Sequence, residues 1–437
     1  QRITTPTAGV DCAVNNPGPP SEPKLLNRNF VLLWQGQLVS QIGSQIFGLA
    51  LLYWILEVTG SATMMGLIMM AASLPGALVG PFGGTLADNL SRKHIIVWTD
   101  VIRGIACVGF VAAIWMTDVE RALLVLFCAQ IVFGLCGAAF GPAMGASIPD
   151  LVPGARLQTA NSLMQGFSSV FMTLSLAIGG FLYAWVGAPI LFLANGISYF
   201  ISAITESFVR IPQKMPDTPF HLSNAVDRFR SDTLAGLKYV WARSGLRKLF
   251  LVAAVLNFVI APLMIAQPIF IRDFLGRGTE FLGLCGAAQG VGAIIGFAFV
   301  GAVKIPRRLR SLTFMCANGA FGTSMILIAW FQDALATLLL LGIFGCAMPI
   351  ANVMVQTVLQ GTTPSEIRGR VLSVLITLAT GLMPIAMGLS GILIDWVDQQ
   401  IPLFWYFCGG TIIVTLIYLA CSRDFHEFLN AELTEGQ

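Results

Sequence analysis

Gly83-Gly84-Thr85-Leu86-Ala87-Asp88-Asn89-Leu90-Ser91-Arg92-Lys93 joins two apolar stretches, 62 to 82 and 95 to 116. Each is about as long as the ~20-residue helix that crosses a bilayer. A connection this short allows only a tight helical hairpin. The paired glycines let the end of one helix approach a neighbour closely, and Asp88 is placed to face the positive N-terminal end of a helix. Arg92 and Lys93 then hold the turn on the cytoplasmic side.

Working outward, the composition agrees with a membrane location. The 437-residue chain is 56% hydrophobic and only 11% charged, where soluble domains carry about 25% charged residues. Seven of the nine cysteines, from Cys107 to Cys408, fall inside apolar stretches with no C-x-x-C pair, so they read as small packing residues rather than disulfide or metal ligands. The first 29 residues are polar and Pro-rich (Asn16-Pro17-Gly18-Pro19-Pro20), lack the apolar core of a signal peptide and are expected to be a disordered tail.

Hydropathy predicts an all-α integral membrane fold with twelve spanning helices, from 30 to 56 through 401 to 421. Of the 25 Lys and Arg residues, only Arg121, Arg272 and Arg277 fall on the outer side and Arg103 within a span; all the rest lie together. The positive-inside rule makes that face, with both termini, cytoplasmic. The expected organisation is a tail at 1–29, six-helix bundles at 30–210 and 248–421, a linker at 211–247 and a second tail at 422–437. In the linker, Val226, Phe229, Thr233, Leu237 and Trp241 recur at helical spacing opposite Arg228, Asp232 and Lys238, the pattern of an amphipathic helix on the membrane or the bundle.

The two halves repeat. Phe133-Gly134 matches Phe344-Gly345, Pro153 matches Pro364, Ser162 matches Ser373, Gly180 matches Gly391, and Trp185-Val186 matches Trp396-Val397, all at the interval from Phe133 to Phe344, 211 residues. Two pseudo-symmetric bundles inserted in the same orientation follow.

The opening turn resembles the loop between the second and third helices of the major facilitator superfamily, written G-x-L-a-D-r-x-G-R-K. It matches at Gly84, Leu86, Ala87, Asp88, Arg92 and Lys93, and departs at Asn89 and Ser91. Three further segments, Ile148-Pro149-Asp150-Leu151-Val152-Pro153, Leu234-Ala235-Gly236-Leu237-Lys238-Tyr239-Val240 and Pro364-Ser365-Glu366-Ile367-Arg368-Gly369-Arg370-Val371, resemble the branch that contains macrolide efflux proteins and the enterobactin exporter. The resemblance spans 28 to 421. It implies a secondary transporter in the bacterial inner membrane, exporting a drug- or siderophore-like solute by alternating access.

Polar residues in dry membrane carry information because each unsatisfied one is costly. Gln37, Gln41 and Gln45 stand at i, i+4 and i+8 in helix 1 with Ser40 and Ser44 beside them. This stripe is expected to face a water-filled cavity, lined also by some of Gln130, Asn161, Gln165, Asn257, Gln267, Gln289, Asn352 and Gln356; the alternative for each is interhelical hydrogen bonding. Asp100 and Arg103, one turn apart, are read with Gly84, Asp88, Arg92 and Lys93 as an interlocking cluster that stabilises one conformation.

Proton antiport in the family uses an Arg where this chain has Gln130, and a G-P-x-x-G-G pattern where it has Ser175-Leu176-Ala177-Ile178-Gly179-Gly180. Both departures count against it, leaving a proton or another coupling ion open. No enzyme is expected: the three histidines, His94, His221 and His426, lie in loops or the tail, and neither G-x-S-x-G nor a Walker A motif is present. The expected partners are a small-molecule substrate and the bilayer, with no cofactor, metal or nucleic acid. A cavity with amides, Phe and Met but no central charge suits an amphipathic solute. A lipid or lysolipid flippase of the same fold, or a non-transporting scaffold, are the alternatives.

Overall fold

The computed structural model describes residues 27–153, 156–213, 222–303, 305–397 and 400–431; most of the expected N-terminal tail lies outside them. The helices are α1 Arg28–Thr59, α2 Ala62–Asn89, α3 Arg92–Met116, α4 Val119–Leu151, α5 Leu157–Val186, α6 Ala188–Ser207, α7 Leu222–Trp241, α8 Ser244–Ile269, α9 Thr279–Ala302, α10 Arg310–Phe331, α11 Ala334–Thr362, α12 Ser365–Trp396, α13 Ile401–Ala420 and α14 Arg423–Leu429. Ten helical stretches among the described residues are apolar and long enough to cross a membrane. α5 and α12, of 30 and 32 residues, complete the twelve spans.

Local chemistry sets where these helices begin. Asn27, Ser61, Ser91, Asp118, Asp333 and Ser422 each cap a helix by accepting a backbone N–H three residues on. α1 stops at Gly60, whose φ of +62° suits a residue without a Cβ. α2 continues through Asn89, so the turn that opened the sequence shrinks to Leu90 and Ser91 and both glycines lie in the helix. Gly83 sits against Ala138 O and the Pro142 ring of α4, while Gly84 meets no neighbour.

In the N-terminal bundle α1 packs on α5 and α6, α2 on α4, and α3 on α4 and α6; in the C-terminal bundle α8 packs on α12 and α13, α9 on α11, and α10 on α11 and α13. The same pairing recurs with each helix advanced by seven. Lipid tails are as apolar as side chains, so close backbone approach holds membrane helices together more than hydrophobicity does. Gly134 of α4 lies on the Ala72 carbonyl of α2, and its repeat mate Gly345 of α11 on the Gln289 carbonyl of α9. Gly180 of α5 meets Thr279 and Gly283 of α9, and its mate Gly391 of α12 meets Ala62 and Gly66 of α2. The first pair closes each bundle internally. The second pair joins the bundles. Their partners Ala62, Gly66 and Ala72 recur as Thr279, Gly283 and Gln289, at 217 residues rather than 211, so the repeat shifts by six residues between its earlier and later helices.

Asn27 and Leu429 lie on one face, here the terminal face. On the far face, Trp115, Trp185, Trp330 and Trp396, at the ends of α3, α5, α10 and α12, are all more than 60% exposed. This is where an aromatic belt meets lipid headgroups. The bundles touch near this face and part toward the terminal face. A Cβ at Gly388 would strike Met70, but one at Gly381, two turns away on the same side of α12, would meet nothing. α7 lies in the linker and packs on α12, with Gly236 against the Arg370 carbonyl, and reaches α2 through the Phe229 and Phe82 rings, 5.9 Å apart.

Candidate functional site

A cavity of about 240 Å³ opens among α8, α10, α11 and α12 in the terminal-face half of the C-terminal bundle. Asn257, Asn318, Asn352 and Gln356 reach it; Leu256, Ile260, Phe314, Phe321, Met348 and Val355 supply apolar wall. Asn352 and Gln356 are exposed, so the cavity is open. Asn257 and Asn318 each donate to a carbonyl four residues back, Ala253 O and Phe314 O, which leaves their side-chain oxygens to accept. Of the four amides, only Asn318 escaped the sequence reading, although it carries the same signal, an amide within an apolar run.

The helix 1 stripe divides. Gln37 is 3% exposed and donates to Glu206 Oε1 of α6 at 2.7 Å, so it joins two helices rather than facing a cavity. Gln41 accepts from Ser168 of α5 at 2.7 Å, and Ser44 bonds Tyr199 of α6 at 2.9 Å. Gln45 is half-buried. Elsewhere Gln130 is buried in the N-terminal bundle, Asn161 is exposed, and Gln289 donates to Gln267 at 3.4 Å. The Gln165 side chain lies outside the described residues.

The charged residues form two clusters, not one interlocking set. At the turn, Arg92 donates to Asp150 at 2.5 Å, to Ala146 O at 2.9 Å and to Ala87 O at 3.2 Å, tying the start of α3 to the end of α4. Asp88 is 66% exposed and reaches Arg92 only at 3.4 Å; Lys93 is half-buried. Asp100 and Arg103 lie deeper in α3, 3.5 Å apart. Eight residues of helix, about 12 Å, separate Arg92 from Asp100, so the expected interlock of all four is replaced by Arg92–Asp150 on one side and Asp100–Arg103 beside Glu206 on the other. On the far face, Tyr183 donates to Glu57 at 2.6 Å and Arg272 to Leu56 O at 3.2 Å. Among the described residues no group of three metal-binding side chains occurs.

Two pseudo-symmetric six-helix bundles, one of them holding an amide-studded apolar cavity, are the architecture of a membrane carrier rather than an enzyme. The chain belongs to the Major Facilitator Superfamily, whose family model matches residues 33–387. Macrolide efflux protein A of Streptococcus pyogenes is 25% identical over 389 residues, covering 89% of this chain and 94% of that protein. Multidrug efflux pump Tap of Mycolicibacterium fortuitum is 26% identical over 379 residues, covering 84% and 89%. Among solved structures, the nucleoside transporter NupG superposes with a TM-score of 0.69 at 13% identity, covering 90% of this chain and 98% of that one. A bacterial homologue of the iron transporter ferroportin, in an inward-facing state, gives 0.65 at 16% identity, covering 91% and 100%. These structures share the fold; the efflux pumps share sequence along most of their length.

Proposed function

We propose that this transporter exports a small amphipathic organic solute across a bacterial inner membrane, with the terminal face cytoplasmic and the solute entering from that side. The observation that carries the reading is the C-terminal-bundle cavity: apolar walls, amides from three helices, and an opening on the terminal side, where the bundles part. At about 240 Å³ it lies below the ~300–1,000 Å³ of a drug-sized site. It therefore takes the apolar part of a solute whose remainder extends between the bundles. The efflux relatives support export, and the preponderance of Lys and Arg on the terminal face supports the orientation.

Flux of macrolide-type drugs in proteoliposomes tests the solute, with Asn352→Ala and Gln356→Ala expected to weaken it several-fold at unchanged melting temperature. Lysolipid flux without drug flux would overturn the reading. Single cysteines at His94 and Glu427, in a cysteine-free chain, test the orientation. Labelling of either by an impermeant reagent from outside the cell would reverse it.

A further inference from the structure

A second cavity, of about 580 Å³, lies on the far face at the seam between the bundles, apart from the solute cavity. The N-terminal bundle supplies Tyr53, Trp54 and Glu57 from the end of α1 and Tyr183 from the end of α5. The C-terminal bundle supplies Arg272 and Arg277 from the connection between α8 and α9, and Glu280 from the start of α9. Its size falls within the ~300–1,000 Å³ of a drug-sized site, which the solute cavity does not reach. Two bonds close the seam beside it: Tyr53 donates to Gly278 O at 3.4 Å, and Arg272 to Leu56 O at 3.2 Å.

Aromatic rings form the walls. Tyr53, Trp54 and Tyr183 are buried, and the two tyrosine rings lie 5.9 Å apart. Glu57, Arg277 and Glu280 are exposed, and both glutamates lie within electrostatic reach of the Tyr53 hydroxyl, so they converge on one space. Asp273 holds the Arg272 guanidinium through two bonds, of 2.5 and 2.9 Å, and so neutralises it. Glu57 accepts from Tyr183 at 2.6 Å, which satisfies one oxygen but none of its charge. Among the described residues, neither Glu280 nor Arg277 has a side-chain hydrogen bond or an ion pair. Two carboxylates therefore face one free guanidinium, and the cavity carries an excess of one negative charge. Such a lining suits an organic monocation: ring faces and carboxylates attract its charge, while its apolar body displaces water from the rings.

We infer that this far-face cavity binds an organic monocation, and that its occupancy holds the far face shut. Opening that face draws Glu57 and Tyr183 away from Arg277 and Glu280, so the cavity is whole only while the face is closed. A ligand shifts the population toward the state in which its contacts are complete. A cation arriving from the far side therefore inhibits the carrier, whichever solute is carried.

The test is equilibrium binding of radioactive benzyltrimethylammonium, a permanent aromatic monocation, to the full chain in detergent, with benzenesulfonate as its anionic counterpart. The cation should bind and the anion should not. Glu57→Gln, which keeps an acceptor for Tyr183, and Glu280→Gln should each weaken binding several-fold. Arg277→Gln should strengthen it, and Asn352→Ala in the solute cavity should leave it unchanged. Arg277 is exposed and forms no side-chain bond among the described residues, so its variant keeps the fold even if Glu57→Gln does not. In a cysteine-free chain carrying Met387→Cys, the cation should slow reaction with thiol reagents. Any of five results would overturn the inference: no binding to the wild-type chain, equal binding of both ions, loss of binding in Asn352→Ala with the glutamate variants unaffected, weaker binding in Arg277→Gln, or an unchanged labelling rate at saturating cation.

Discussion

Asp395, at the end of α12, accepts the backbone N–H of Thr63 at 2.8 Å, together with Ala62 N at 3.0 Å and Ser61 Oγ at 2.7 Å. A carboxylate of the C-terminal bundle thus caps the first turn of α2 in the N-terminal bundle, meeting its orphan donors and its positive dipole end. The repeat does not duplicate this bond, because Ala184 stands at the matching position of α5. The bond must break whenever the far face opens.

Asp395→Asn should therefore weaken closure of the far face, by about 1 kcal/mol if the cap behaves as others do. Met387 is buried two turns further along the same α2–α12 contact, against Gly66, and a cysteine placed there should react faster with thiol reagents in the Asn variant. An unchanged rate would show that the cap does not hold the bundles together.

The glycine pairs separate folding from motion. Gly134→Val and Gly345→Val force a side chain into a helix contact inside one bundle and should lower the melting temperature. Gly180→Val and Gly391→Val act between bundles, so they should raise far-face accessibility while each bundle keeps its stability. Hydrogen exchange resolved by helix distinguishes the two; identical patterns for all four variants would contradict the division.

At the opening turn, the weight falls on Arg92 rather than Asp88. Removing the part-buried guanidinium in Arg92→Ala takes the cationic donor from Asp150 and Ala146 O and one of two side-chain donors from Ala87 O, which Gln213 still holds, a loss of about 1.5–3 kcal/mol for hydrogen bonds to a charged group. Asp88→Asn changes only the exposed partner of a 3.4 Å pair and should cost no more than about 0.5 kcal/mol. Melting temperatures of the two variants, measured together, check the order; equal losses would refute it.

Acid should loosen the C-terminal helix. Ser244 and then Lys248, by hydrogen bonds of 2.5 and 3.0 Å, hold the Asp424 carboxyl below the usual carboxylate range. A group whose folded pKa is depressed contributes stability above its unfolded pKa, about 3.9 for Asp, and loses it as pH falls through the folded value. Proteolysis between α13 and α14 should speed up as the medium is acidified through that range, and Asp424→Asn should be susceptible already at neutral pH. A pH-independent rate in the wild-type chain would remove Asp424 from the docking of α14.

The twelve apolar runs, the amphipathic spacing from Val226 to Trp241 and the matched Gly134/Gly345 and Gly180/Gly391 were legible in the sequence because each depends on local pattern or on identity between halves. The course of the helix 1 stripe was not. Residues four apart drift about 40° around an α-helix, enough to turn Gln37 onto α6 while Gln41 meets α5. Asp150 as the partner of Arg92, and Glu206 as the neighbour of Asp100, join helices distant along the chain, and no spacing rule announces such pairings. The convergence of Asn257, Asn352 and Gln356 with Asn318 likewise depends on how α8, α10 and α11 lean together.

Phe229 lies against Phe82 of one bundle and Gly236 against α12 of the other, so α7 works as a mechanical strap with an anchor on each moving part. The spacing between its anchors limits how wide the terminal side can gape before one of them must let go. On the proposed export reading, the stroke of the carrier, and with it the largest cargo admitted from that side, is then limited by a helix that contributes no residue to the solute cavity.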